Sequence, residues 1–211
     1  MPGDQPAREL ASQLRPMIGD RRVLQAIAST PREQFVPASL RDRAYENEAL
    51  PIAGGQTISQ PLVVARMLEL LELQGDELVL DVGTGSGYHA ALLALLAREV
   101  ISIEVVTELH DEAVARLAEL DLRNVTCLVA DGWQGLPERA PYDAINVAAA
   151  SGSQPPEALL AQLAVGGRMV LPIGRRRQRL TVLRRADDGT VSTEILEPVR
   201  FVPLVRSDRE P

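Results

Sequence analysis

A chain of 211 residues with 45% hydrophobic residues can bury one sizeable core, or a core with an added segment. Aromatic residues make up only 3%, so Leu, Val, Ile and Ala must fill that core. A formal net charge of -7 argues against general binding to nucleic acid phosphates, no apolar run is long enough to span a membrane, and a single cysteine, Cys127, excludes an internal disulfide.

Residues 1–48 read as polar and helical, with apolar residues at helical spacing over Arg8 to Met17 and Arg21 to Ala28. Pro31, Pro37 and Pro51 break this part, and AGGQTISQ, from Ala53 to Gln60, reads as a loop. Pro61 opens a helix predicted to run to Leu71. From Leu78 the pattern changes to short apolar runs alternating with helical segments. Strands are predicted up to Asp81, over Val100–Ile103, Val125–Ala130, Tyr142–Ala148 and Arg168–Ile173. Helices are predicted over Tyr88–Ala97, Glu108–Leu120 and Pro155–Leu163, with a turn at Gly166-Gly167. Strands apolar on both faces, each followed by a helix, indicate an α/β, doubly wound, mostly parallel sheet covered on both sides. The alternating stretches Leu180–Arg185 and Val191–Leu204, split by Asp187-Asp188-Gly189-Thr190, read as an antiparallel hairpin at its edge. In such a sheet ligands lie at the carboxyl ends of the strands, and the first three strands end in Asp81, Glu104 and Asp131.

The central motif is Asp81-Val82-Gly83-Thr84-Gly85-Ser86-Gly87. Glycines in a strand-to-helix turn let a ligand approach the backbone closely. The spacing is not that of a dinucleotide loop, since Tyr88 occupies the place of the third glycine. Asp81 would also repel a pyrophosphate. S-adenosylmethionine carries a sulfonium, an ammonium and a ribose diol, all of which suit carboxylates. Glu104 then falls where the diol should sit, and Asp131, with Gly132, near the adenine edge. Each residue also has a plain structural reading. The glycines can form an ordinary turn, Asp81 can cap a helix, Glu104 can be a solvated acid, and Asp131-Gly132 can start a turn.

The chain resembles the protein-L-isoaspartate O-methyltransferase family. The resemblance rests on Arg32-Glu33-Gln34-Phe35-Val36-Pro37, on Ala44-Tyr45 with Leu50-Pro51-Ile52, and above all on Gly55-Gln56-Thr57-Ile58-Ser59-Gln60-Pro61. Further matches are Asp81 to Tyr88, Asp131-Gly132 with Gly135-Leu136-Pro137-Glu138, Gly167 to Gly174, and the tail PVRFVPL from Pro198 to Leu204. It implies a seven-stranded, Rossmann-like methyltransferase fold with an N-terminal helical segment. It implies S-adenosyl-L-methionine as donor, S-adenosyl-L-homocysteine as product, and repair of isoaspartyl-containing peptides and proteins through a methyl ester that collapses to succinimide. It makes Ser59 the active-site residue, with Thr57, Ile58 and Gln60 on the acceptor, and Asp81, Gly83, Thr84, Gly85, Ser86, Gly87, Glu104, Asp131 and Gly132 on the donor. Residues 1–60 become the helices and acceptor loop, and 61–211 the donor-binding part of a single compact unit. The chain departs from the family pattern at His89, where many members carry Gln, and over Asn146–Ser153.

An isoaspartyl α-carboxylate has a reference pKa of roughly 3.5, so it is already an anion at pH 7 and needs no general base. His110 reads as a helix-surface residue, and His89 as a helix-start residue facing solvent or the donor's edge. A peptide wall is expected from Ile52–Gln60 and Val199–Leu204. Thr57 and Ser59 could instead cap the helix at Pro61. Three rival functions share parts of this pattern: a methyltransferase for RNA or a small molecule, a nicotinamide-dependent oxidoreductase, and a non-enzymatic binding domain. Arg175-Arg176-Arg177 reads as a solvated turn rather than an RNA contact. The start MPGDQPAREL lacks the apolar core of a secretory signal. The expectation is a cytoplasmic monomer with no metal, no membrane and no nucleic acid partner.

Overall fold

A computed structural model describes residues 5–206. Two helices, α1 (Gln5–Leu14) and α2 (Arg21–Ser29), precede a small hairpin of β1 (Leu50–Pro51) and β2 (Thr57–Ile58). Then follow α3 (Pro61–Leu71), β3 (Leu78–Val82), α4 (Tyr88–Ala94), β4 (Glu99–Glu104), α5 (Thr107–Glu119), β5 (Val125–Val129), β6 (Tyr142–Val147), α6 (Glu157–Gln162), β7 (Leu163–Ile173), β8 (Gln178–Arg185) and β9 (Val191–Val199). The seven-stranded sheet has the order β5-β4-β3-β6-β7-β8-β9. β5, β4, β3, β6 and β7 are mutually parallel, and β8 and β9 add antiparallel pairings at the edge.

Strand order reverses at β3, which has β4 on one side and β6 on the other. That reversal opens a crevice beyond the strand ends. Alternate residues of each strand feed two cores. Val79 and Val100 join the core under α1 to α4, while Leu80, Val82, Ile101 and Ile103 join the core containing Leu159 of α6.

Local chemistry accounts for the boundaries and for several departures from expectation. α1 begins before Arg8 because Ala7, Leu10, Ala11 and Leu14 form its buried stripe; Pro16 follows its end, and Met17 is 50% exposed. Asp20 caps α2, accepting from the N–H groups of Arg22 (2.7 Å) and Val23 (3.4 Å). α4 stops at Ala94, where the Asn124 side chain donates to the Ala94 carbonyl (2.9 Å). The loop at 53–60 is partly ordered, with Leu50 opposite Ile58 in the hairpin. β5 is an edge strand with Val129 52% exposed, so it is not apolar on both sides. Gly166-Gly167 is not a turn between elements. β7 runs through it as a bulge, pairing Leu163 with Tyr142 and then Arg168 with Ala144. A Cβ on Gly167 would lie 2.9 Å from the Asp143 carbonyl oxygen, so only glycine fits that bend. The chain also leaves the sheet after Val199 rather than at Leu204. Gln178 takes over from the ladder, its Nε2 donating to the Phe201 carbonyl (3.0 Å) and its Oε1 accepting from the Phe201 N–H (2.6 Å). Among the described residues no helix is long and apolar enough to cross a membrane, and no group of three or more His, Cys, Asp or Glu is placed to hold a metal ion.

Candidate active site

Register across three strands builds the floor of the crevice. Asp81 on β3 lies opposite Ser102 on β4 and Asn146 on β6. All three are fully buried on the same sheet face as Val79. Asn146 Nδ2 donates to Asp81 Oδ1 (2.8 Å), and Ser102 Oγ donates to Asp81 Oδ2 (2.8 Å). Ser102 Oγ is also 2.6 Å from Thr84 Oγ1, which carries the row into the glycine turn. Asp81 therefore does not stand on the rim, as its strand-end position suggests, and it caps no helix. Burial pushes its carboxyl up to about 6, against the pull of the Asn146 and Ser102 hydrogen bonds, with Glu104 adding a smaller upward push. Burial, helped by Asp81, also pushes the Cys127 thiol up to about 12.

The turn that follows uses positive φ at Gly83 (89°), Gly85 (53°) and Gly87 (89°). The N–H groups of Gly83 and Thr84 donate to the Ile103 carbonyl, which docks the turn on β4. Glu104 closes it. Its Oε2 accepts from the Gly85 N–H (2.8 Å), and its Oε1 accepts from the N–H groups of Val105 (2.8 Å) and Val106 (3.0 Å). Glu104 is thus 7% exposed and held, not a solvated acid. Asp131 adopts the turn geometry, accepting from the Trp133 N–H (2.8 Å). Gly132 is pressed between walls. A Cβ there would lie 2.7 Å from Val82 Cγ1 and 2.9 Å from Leu204 Cδ1.

Gly83, Gly85, Glu104 and Gly132 line one trough at the strand ends. Asp81, Thr84, Ser86, Gly87 and Asp131 do not line it. Thr84 and Ser86 are buried, with Ser86 Oγ accepting from the Tyr88 N–H (3.3 Å). Gln56 and Thr57 also line the trough, and residues without chemical groups of their own complete it: Val105, Val106, Ala148 and Ala149, roofed by Val202 to Val205. Nothing in the side chains of these apolar residues marks them in sequence; only their place just beyond a strand does. The roof is tied down by Ala150 N–H to Val202 O (2.8 Å), Leu204 N–H to Ala150 O (2.9 Å) and Trp133 Nε1 to Leu204 O (3.0 Å). With that roof in place about 60 Å³ stays open, well under the roughly 300 Å³ at which ligand pockets begin.

A second cleft of about 410 Å³ adjoins the first through Thr57, Ala148 and Val202. Ser59 and Gln60 line it from one side, and Pro198 to Val202 from the other. Ile58 does not reach it; its side chain is 3% exposed and packs in the core. Gln60 Nε2 donates to the Asn47 carbonyl (2.9 Å). No side chain caps α3, so Thr57 and Ser59 are not caps. The Ser59 backbone is anchored from beneath by Arg32, a fully buried guanidinium whose Nη2 donates to the Ser59 carbonyl (2.7 Å) and whose Nε donates to the Ala44 carbonyl (2.8 Å). Arg32 also lies 4.8 Å from the Tyr88 ring centroid.

His89 faces neither solvent nor the trough. Every residue of α4 is buried, and His89 is 6% exposed with Nε2 unpartnered. Burial, then the Arg32 charge, lowers its pKa to about 4, so it is neutral at pH 7. His110 is half-buried on α5, its ring nitrogens 2.8 Å from Asp111 Oδ1 and 3.3 Å from the Cys127 carbonyl. Because the unfolded imidazole titrates near 6.5, His89 contributes stability that is complete above that pH and lost as pH falls toward 4. Asp81 works in the opposite sense, stabilising below its unfolded value and losing that as pH rises through about 6. Comparing the wild type with His89→Gln cancels the Asp81 part. Between pH 8 and pH 5 the variant should gain roughly 2 kcal/mol on the wild type in urea unfolding. A constant difference across that range would refute a buried neutral imidazole.

A doubly wound sheet with a glycine turn at its switch point, and a held carboxylate at the end of the neighbouring strand, defines an S-adenosylmethionine-dependent methyltransferase. The model of the family described as protein-L-isoaspartate(D-aspartate) O-methyltransferase matches residues 7–209. The protein-L-isoaspartate O-methyltransferase of Shewanella amazonensis is 52% identical over 191 residues, covering 90% of each chain. That of Photorhabdus laumondii is 50% identical over 202 residues, covering 95% of this chain and 96% of its own. Among solved structures, a protein-L-isoaspartate O-methyltransferase superposes with a TM-score of 0.84 at 29% identity, over 95% of this chain and 66% of that one. A Plasmodium falciparum protein solved with S-adenosyl-L-homocysteine superposes with a TM-score of 0.82 at 25% identity, over 94% of this chain and 98% of its own. The chain belongs to the protein-L-isoaspartate O-methyltransferase family.

Proposed function

We propose that this chain repairs damaged proteins by methylating the free α-carboxylate of L-isoaspartyl residues. The observation that carries the reading is the joining of two clefts at Thr57, Ala148 and Val202, one floored by the glycine turn and Glu104, the other lined by Ser59. When bound, S-adenosylmethionine supplies a methyl group on a cationic sulfonium.

The trough fits that donor by chemistry. It has glycine backbone to approach, a carboxylate fixed at the end of β4, and a Gly132 surface that any Cβ would fill. Glu104 would hold a ribose hydroxyl through Oε2, which keeps a lone pair beyond the one backbone bond it accepts, while Oε1 is taken up by two. The Asp131-Gly132 corner would meet the adenine edge, through backbone more than through the Asp131 carboxylate, which turns back on Trp133. Asp81 and Thr84 act indirectly by fixing the glycine turn. The Val202–Val205 segment has to lift for a nucleoside to enter, and on closing it excludes water. On the acceptor side Ser59 holds one carboxylate oxygen, Thr57 offers a second hydroxyl, and Gln60 shapes the cleft. No side chain is required to remove a proton, because the acceptor is already ionised.

Glu104→Gln should raise the dissociation constant for S-adenosylhomocysteine about tenfold, the worth of one charge-assisted hydrogen bond. Calorimetric titration checks this, and unchanged affinity would remove Glu104 from the donor site. The same reading takes residues 1–60 and 61–211 as acceptor-side and donor-side parts of one unit, of which 1–4 and 207–211 lie outside the described residues. It places the protein in the cytoplasm as a monomer without a nucleic acid partner; light scattering tests the monomer. The deciding experiment is transfer of labelled methyl to an isoaspartyl peptide, with the normal aspartyl peptide as control. Equal labelling of both would reject the repair activity.

A further inference from the structure

The cleft that holds Ser59 does not end at the tail. It shares Val199, Arg200 and Phe201 with a further groove of about 680 Å³, which Arg175 and Arg176 complete. No carboxylate lines either cavity. This is unusual ground for this chain, which has 29 acidic residues against 22 basic ones. Several arginines elsewhere are matched with acids, as in Arg66 with Glu69, Arg139 with Glu99 and Arg184 with Glu194, while Arg22 and Arg32 are held by backbone carbonyls instead. Among the described residues Arg175, Arg176 and Arg200 have no such partner.

Their placement is built. Gly174 turns the 174–177 loop with φ 133°, and a Cβ there would lie 2.1 Å from the Arg177 carbonyl oxygen. Gly152 and Gly174 are paired in an antiparallel bridge, which pins the loop to the segment after β6. Both ends of the Gln178 side chain bind the Phe201 backbone, which keeps Arg200 beside that loop. Arg200, which lines both cavities, and Arg175 and Arg176, which line the second, thus share one groove that continues from the acceptor cleft.

Arginine forks match carboxylates, and an exposed pair of them acts on encounter and orientation more than on tight binding. A peptide whose damaged residue sits at Ser59 must lead its neighbouring residues out of the cleft. We propose that this groove is a subsite for acidic side chains flanking the isoaspartyl residue. The chain then selects damaged sites in acidic sequence contexts. This rests on the repair activity proposed for the same cleft.

Three isoaspartyl peptides test it, with Glu, Ser or Lys placed two and three residues from the isoaspartate, each in versions flanked on the amino and on the carboxyl side. For one of the two sides, kcat/KM for the Glu peptide should exceed that for the Lys peptide about fivefold at low salt. The ratio should fall toward unity in about 0.5 M NaCl, where exposed charges are screened. Charge reversal by Arg175→Glu with Arg176→Glu should invert the ratio, a readout that partial loss of folded enzyme leaves untouched. No charge preference on either side, or a preference that survives the double reversal, overturns the subsite. Stronger inhibition by a single-stranded oligonucleotide than by a Glu-rich peptide lacking isoaspartate overturns it too, and gives the strip to nucleic acid. Failure to methylate the Ser peptide sinks the repair reading instead.

Discussion

Arg32→Met is expected to cost roughly 3 kcal/mol of unfolding free energy and to slow methyl transfer at the same time. Methionine keeps most of the stem volume but none of the donors. The guanidinium is fully buried and reaches two backbone carbonyls, those of Ala44 and Ser59, while its face lies over Tyr88. Tyr88 in turn meets Phe35 edge-on, with ring centroids 5.3 Å apart. One side chain therefore fastens the acceptor loop to the first turn of α4. Its removal strands two carbonyls, each worth roughly 1.5–3 kcal/mol as a partner to a charge. Part of that is offset, because a buried cation without a carboxylate partner is itself costly; desolvation already lowers the Arg32 pKa. The carbonyl bonds win because the Ala44 carbonyl is held in a fully buried bond and gains no water in exchange. Arg32→Lys should recover only part of the loss, since a single ammonium cannot span both carbonyls. Urea midpoints and the peptide KM measure the two effects. A stable Arg32→Met enzyme with unaltered KM would mean the acceptor loop stands without its anchor.

The parts of the molecule that sequence reveals are those whose cause is local. Pro61 at the first helical position places the start of α3, and the apolar stretches of β3, β4 and β6 declare a buried parallel sheet. The glycine turn and the loop around Ser59 carry enough chemistry in adjacent residues to be recognised together. What stays hidden is set by distant partners. Asp81 lies next to the strand end in sequence, yet the pleat aims it at the core, where register supplies Ser102 and Asn146. No local pattern contains that register. His89 reads as a helix-start residue facing solvent or the donor's edge, yet α4 is buried along its whole length and the Arg32 charge reaches the ring. The tail PVRFVPL alternates like a strand but parts from β8 at Val199, because Gln178 captures Phe201. That departure makes the tail a wall of both clefts instead of a plain edge strand.

Ser59→Ala is expected to lower the rate of methyl transfer by about tenfold to a hundredfold while leaving the unfolding temperature within a degree or two. The two halves of the expectation have separate grounds. Ser59 is only half-buried, and what holds its loop is backbone: the Arg32 bond to the Ser59 carbonyl and the pairing of Thr57 with Pro51. Loss of the hydroxyl leaves those contacts whole, so stability is spared. Ser59 lines the cleft, where its hydroxyl can hold one oxygen of a carboxylate and leave the other to attack. A hydrogen bond to a charged group is worth roughly 1.5–3 kcal/mol, which converts to that loss of rate. Because the bond orients more than it binds, the loss should fall on kcat rather than on KM. Ser59→Thr keeps the hydroxyl and should retain more activity than alanine. Equal damage from both substitutions, or a fall in unfolding temperature that tracks the fall in rate, would make Ser59 a structural residue and leave Thr57 as the hydroxyl offered to the acceptor carboxylate.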